Sequence, residues 1–110
     1  MEITVNDYPK VAVVAITGRV DSSNSHELDA AFTGLADSGK RKIVVDLSGV
    51  DYMSSMGVRA LISAKKAAKK RLGDVALATP SAAAQDVIDI AGLGHVFDVF
   101  DDLVLATQSV

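Results

Sequence analysis

Hydrophobic residues along this chain fall into two kinds of pattern that alternate from one end to the other. The first is a short unbroken run. Val11-Ala12-Val13-Val14-Ala15-Ile16 is apolar throughout and rich in β-branched side chains, which suits a strand buried on both faces, with Gly18 ending it. Ahead of it, Ile3 and Val5 followed by the turn-like Asn6-Asp7-Tyr8-Pro9 predict a shorter first strand and a hairpin. Ile43-Val44-Val45-Asp46-Leu47 predicts a further buried strand ending near Leu47, and Asp74-Val75-Ala76-Leu77-Ala78 another, closed by Thr79-Pro80.

The second pattern is helical. Leu28, Ala31, Phe32, Leu35 and Ala36 recur at i, i+3, i+4, i+7 and i+8, and Gly39 is placed to stop the helix. Asp21-Ser22-Ser23-Asn24 offers acceptors for the free N–H groups at its start, with Glu27 three residues after Asn24 in the capping-box position. Val58, Leu61, Ile62, Ala64, Ala68 and Leu72 predict a second stripe, opposite a solvated face of Arg59, Lys65, Lys66, Lys69 and Lys70. Cations are favoured near that helix's C-terminus by the dipole. Ser81 is placed to cap a third helix carrying Ala84, Val87, Ile88 and Ala91 before Gly92, and the tail after Val96 predicts a short edge piece and a last short helix.

This order predicts an α/β fold: a mixed, mostly parallel sheet of four to five strands with an N-terminal antiparallel edge and about four helices. The 110 residues, 49% of them hydrophobic, suffice for one core, and no repeat, low-complexity tract or linker divides them, so residues 1–110 are expected to form a single domain. A net charge of -3 gives no nucleic-acid footprint, and DNA or RNA is not expected as a direct partner. There is no cysteine, hence no disulfide or thiolate chemistry. Met1 to Val5 has neither a basic nor an apolar leader region, and no stretch approaches the roughly 20 apolar residues that cross a bilayer. A soluble, cytoplasmic protein without a membrane partner is expected, as a monomer or weak dimer.

Candidate chemistry narrows to one segment. His26 and His95 have no metal-ligand spacing between them and read as surface residues, so no metal is expected. Met53-Ser54-Ser55-Met56-Gly57 stands in a strand-to-helix turn but lacks the Gly-x-Ser-x-Gly of a nucleophile elbow. No phosphate-binding Gly-rich motif occurs, Gly92-Leu93-Gly94 reads as a helix stop, and neither a cofactor nor catalysis is expected. What remains is a serine pair between a parallel strand and a helix start, where ligands and modifications act in open α/β sheets. A serine there can cap the helix, worth about 1 kcal/mol. It can also carry a phosphate, whose roughly −1.5 to −2 charges the helix N-terminus stabilises. One residue can do both.

The stretch from Val44-Val45-Asp46-Leu47-Ser48-Gly49-Val50 through Asp51-Tyr52-Met53-Ser54-Ser55-Met56-Gly57-Val58-Arg59-Ala60-Leu61 resembles the signature of the STAS domain of anti-sigma factor antagonists. Gly18-Arg19-Val20-Asp21 is similar to that family's Gly-x-Leu/Val-Asp turn, and Ile90-Ala91-Gly92-Leu93-Gly94-His95-Val96-Phe97 to its Gly-Leu-x-x-hydrophobic ending. The resemblance covers nearly the whole chain. It implies the STAS fold and a partner-switching function. In that family the unphosphorylated protein binds an anti-sigma factor that is itself a serine kinase, freeing a sigma factor for transcription; serine phosphorylation abolishes binding and a serine phosphatase restores it, and the resemblance implies the same here.

Carried over by position, the phosphate acceptor is Ser55, with Asp21, Ser54, Met56, Gly57, Val58 and Arg59 at the partner-binding surface. Asp21 would help position Ser55 or the partner, or serve as a turn or capping aspartate. The chain departs from the pattern twice: Ser54 stands where the family often has aspartate, and Met56 where a small residue usually follows. Ser54 is therefore the runner-up acceptor, and Met56 is either buried at the helix start or part of an apolar contact surface. A non-switching STAS adaptor or transporter-associated subunit is the alternative function, and a small-molecule or nucleotide binder at the same helix start a third.

Overall fold

The computed structural model describes residues 1–110. Its elements run β1 (Glu2–Asp7), β2 (Ala12–Val20), α1 (Ser25–Asp37), β3 (Lys42–Met53), α2 (Ser55–Lys70), β4 (Asp74–Ala78), α3 (Ala82–Ile90), a 3-10 turn (Leu93–His95), β5 (Val99–Phe100) and α4 (Leu103–Ser109). The five strands form one sheet in the order β1-β2-β3-β4-β5. β1 pairs antiparallel with β2, and every later pairing is parallel. This is the mixed α/β sheet expected, at the upper end of the strand count.

The unbroken apolar runs have a direct cause in the layering. Alternate side chains of each strand point to opposite faces, and both faces are covered. Ala12, Val14, Ile16, Ile43, Val45, Leu47, Val75 and Leu77 enter the larger core, with Leu28, Phe32 and Leu35 of α1, Leu61 and its alanine neighbours of α2, and Ala84 and Ile88 of α3. On the other face Val13, Val44 and Ala78 pack against Ala106 of α4.

Four sequence expectations are corrected. β2 does not stop at Gly18 but continues to Val20, and β3 continues from Leu47 to Met53. Polar and glycine residues that look like terminators instead mark register shifts in the β2–β3 ladder, between Ala15 and Thr17 and between Gly18 and Arg19. Gly49 is required there because a Cβ would lie 2.5 Å from Thr17 Cγ2. The capping box of Asn24 and Glu27 does not form: the Asn24 side chain makes no cap hydrogen bond. Its Nδ2 donates to the Arg19 carbonyl at 2.8 Å and its Oδ1 accepts from Asp21 N–H at 3.0 Å, stapling the turn instead. Leu72 lies beyond α2 at φ 62 and is 84% exposed, so it is not part of the buried stripe.

Other stops behave as read. Gly39, at φ 89, follows α1, and the N–H groups of Gly39 and Lys40 close on Ala36 and Leu35 carbonyls. Ser81 caps α3 by accepting from Ala84 N–H, and it also donates to the Val50 carbonyl at 2.6 Å. That second bond anchors the extended half of β3, which leads into the serine pair at the start of α2.

Candidate functional site

The C-terminal ends of β2 and β3 lie side by side, with Arg19 opposite Tyr52 and Val20 opposite Met53. The chain turns directly from Met53 into α2. Ser54 N–H donates to the Val20 carbonyl at 2.9 Å, so the end of β2 holds the start of α2, and Asp21 is brought to the same edge. Ser54 is the N-cap of α2, in extended backbone geometry, its Oγ accepting from Met56 N–H at 3.3 Å. Its carbonyl accepts from Gly57 and Val58 N–H.

Ser55 is the first helical residue. It is exposed, and its hydroxyl makes no hydrogen bond to another protein group, whereas the half-buried Ser54 hydroxyl is engaged in the cap. Gly57 is buried, and a Cβ there would lie 2.8 Å from Met53 Cγ and 2.9 Å from Val20 Cγ1. It therefore serves the surface from below, letting α2 sit close on the strand ends. Met56 is half-buried, Val58 is half-buried and packs on the core, and Arg59 is exposed one turn beyond Ser55.

Asp21 sits in a network of its own. Its Oδ1 accepts from the Ser23 hydroxyl at 2.6 Å and from Ser23 N–H at 2.9 Å, and its Oδ2 from Arg19 Nε at 3.0 Å. The hydroxyl and backbone N–H of Ser23, then Arg19, hold its carboxyl below the usual carboxylate range, so it carries a full negative charge near neutral pH. Arg19 lies over the Tyr52 ring, 4.0 Å from its centroid, and Tyr52 is 43% exposed. The turn serine pair is thus flanked by an aromatic-cation-carboxylate cluster. Sequence reasoning singled out neither Arg19 nor Tyr52, because they belong to different strands and meet only through the β2–β3 register.

His26 and His95 are both exposed. No group of three or more His, Asp or Glu side chains gathers to hold a metal ion. No helix is long and apolar enough to cross a membrane.

Residues 2–106 match the STAS domain, and the chain belongs to that family. Among its relatives are anti-sigma factor antagonists. It is 29% identical over 103 residues to the anti-sigma-F factor antagonist RsfB of Mycobacterium tuberculosis, covering 92% of this chain and 82% of RsfB. The crystal structure of an anti-sigma factor antagonist from Mycobacterium paratuberculosis superposes with a TM-score of 0.88 at 25% identity, over 99% of this chain and 92% of that one. The fold is also that of Bacillus SpoIIAA, at 17% identity. TM-scores are 0.84 for the unphosphorylated form, covering 98% and 95% of the two chains, and 0.77 for the phosphorylated form, covering 98% of each.

Proposed function

We propose that this chain is an anti-sigma factor antagonist switched at Ser55: unphosphorylated, it binds an anti-sigma factor serine kinase; phosphorylated on Ser55, it is released, and a serine phosphatase resets it. The observation that carries the reading is the division of labour between the two serines. The Ser54 hydroxyl is occupied as the helix cap, while the Ser55 hydroxyl is exposed and unengaged at the first position of α2. Relatives named as anti-sigma factor antagonists supply the class of partner, and the two forms of SpoIIAA supply a precedent for phosphorylation within the same fold.

The chemistry supports a local switch. A phosphate on Ser55 would sit beside the positive end of the α2 dipole, with Arg59 one turn along, so the modified protein tolerates it without refolding. A bound partner does not. A dianion brought into a contact surface must be desolvated or meet the partner's own carboxylates, and either penalty dissociates the complex. Asp21, Ser54, Met56, Val58 and Arg59 form the remaining contact surface in this reading, with Gly57 supporting it.

The test is incubation with the kinase anti-sigma factor and ATP, followed by mass spectrometry. Phosphate is expected on Ser55, with labelling lost in Ser55→Ala and retained in Ser54→Ala. Undiminished labelling of Ser55→Ala would remove the assignment. A complex that survives Ser55→Asp unchanged would favour the non-switching adaptor.

A further inference from the structure

The outward stripe of α2 does not end at the switch. Ser55, Arg59, Ser63, Lys66 and Lys70 follow one another at helical spacing, and all five are exposed. They span about 22 Å along the axis, at 1.5 Å per residue. Beside the far half of this stripe lies a concavity of about 330 Å³, floored by Ile62 and Val96 and rimmed by Lys65, Lys66, Lys69 and Lys70. Val96 is 43% exposed.

The four lysines are not equivalent. Lys65 Nζ is 2.8 Å and Lys69 Nζ 3.3 Å from the Asp74 carboxylate, which both share and which offsets part of the charge on that side of the rim. Lys66, Lys70 and Arg59 have no carboxylate within ion-pair distance, and they occupy the outer stripe. A chain of net charge -3 therefore concentrates three uncompensated cations on the one helix face that begins at Ser55. Two such lysines at the end of a helix also suit the dipole, but the dipole does not account for Arg59 in the first half of α2 or for the exposed apolar floor beside Lys66.

We infer that this stripe is a second docking surface, which takes an acidic face of the same anti-sigma factor and extends the contact from Ser55 to Lys70, Ile62 and Val96 supplying its apolar part. The inference rests on the proposed function for the identity of the partner. Two observations select an acidic protein surface: the uncompensated positive charge, and continuity with the turn that carries the switch. The remote cations steer the encounter and fix orientation, so their effect weakens with salt. Phosphorylation then acts at one end of a long contact, and the screened α2 cations alone are too weak to keep the partner bound once that end is repelled.

Binding of the full chain to the purified kinase anti-sigma factor of its own organism tests this by calorimetry, between about 0.05 and 0.3 M NaCl. Lys66→Glu/Lys70→Glu is expected to raise Kd about tenfold at the lower salt and to flatten its salt dependence, with Lys66→Gln/Lys70→Gln intermediate and thermal unfolding of both close to the parent. Ser55→Asp, measured alongside, reports on the switch. Loss of binding in Ser55→Asp with unchanged Kd and salt slope in both lysine variants overturns the second surface and leaves the switch standing. Weakening in the lysine variants with no effect of Ser55→Asp keeps the docking surface and removes the switch. Lysine-dependent capture by phosphatidylglycerol vesicles, with no change toward the anti-sigma factor, also overturns the inference.

Discussion

The Ser54 N–H group donates to the Val20 carbonyl at 2.9 Å, so the first residue before α2 is pinned to the last residue of β2. The bond forms only because Gly57 lets the helix approach: a Cβ at Gly57 would meet Val20 Cγ1 at 2.9 Å and Met53 Cγ at 2.8 Å. Gly57→Val should therefore cost about 1–3 kcal/mol of stability through overpacking, more than any gain in helix propensity returns. Urea unfolding measures it. The variant should also lose partner affinity by more than its unfolded fraction explains, because the helix start is displaced. Stability equal to the parent would contradict the close packing described.

The serine pair separates structure from switching. Ser54→Ala removes the α2 cap and should cost about 1 kcal/mol. Ser55→Ala removes an exposed hydroxyl without a protein partner and should lie within about 0.5 kcal/mol of the parent. Kinase labelling should run the other way, lost in Ser55→Ala and kept in Ser54→Ala. Unfolding curves and phosphate incorporation on the same two proteins check both halves, and a stability loss in Ser55→Ala alone would reverse the roles.

These two positions also mark how far the sequence could be read. Capping and modification are both legible in Ser54-Ser55, but which hydroxyl does which depends on whether the helix begins at 54 or 55, a boundary set by the Val20 contact across the sheet. The alternation of buried runs and stripes exposes the mixed sheet, since strand and helix periods differ. The length of β3 does not show, because Ser48-Gly49 reads as a stop; in the fold Asp46 accepts from Ser48 N–H at 3.0 Å and β2 pairs across the irregularity. Leu72 fits the helical spacing, yet it falls one step past the C-cap Arg71, at a backbone angle that turns it to solvent. The Arg19–Tyr52 contact depends on that same shifted register, and no local pattern encodes it.

Arg19 should matter for binding far more than for folding. Its pair with Asp21 is largely solvated on the arginine side, at 62% side-chain exposure, and a pair of that kind contributes below about 1 kcal/mol. Yet it orders two side chains beside the switch at once, the candidate contact residue Asp21 through Nε and the exposed Tyr52 ring through its guanidinium face. Arg19→Ala should weaken binding of the anti-sigma factor about threefold to tenfold, at nearly unchanged thermal stability. Arg19→Lys should recover only part of the loss, since an ammonium cannot both stack and donate in that fork. Full recovery by lysine would reduce the contribution to charge alone.

Acid should loosen the fold through Asp74 and Asp46. Partial burial pushes the Asp74 carboxyl up, but hydrogen bonds from Lys65 and Val75 N–H, with Lys65 charge and Lys69 added, outweigh it and hold the group below its usual range. At Asp46 burial acts in the same raising direction and is outweighed by the Thr79 hydroxyl, 2.7 Å away, and by Ser48. Both carboxyls therefore bind protons more weakly folded than unfolded. Their stabilisation is fully present above the unfolded value of about 4 and is lost as pH falls through the lower folded value. Asp74→Asn should be less stable than the parent by about 1 kcal/mol at pH 7, because Lys65 and Lys69 lose their counter-charge. Once the pH has fallen through that lowered folded value the parent carboxyl is itself neutral, so the two unfolding curves should converge. A gap that stays constant from neutral pH to that point would mean the carboxylate charge contributes nothing there.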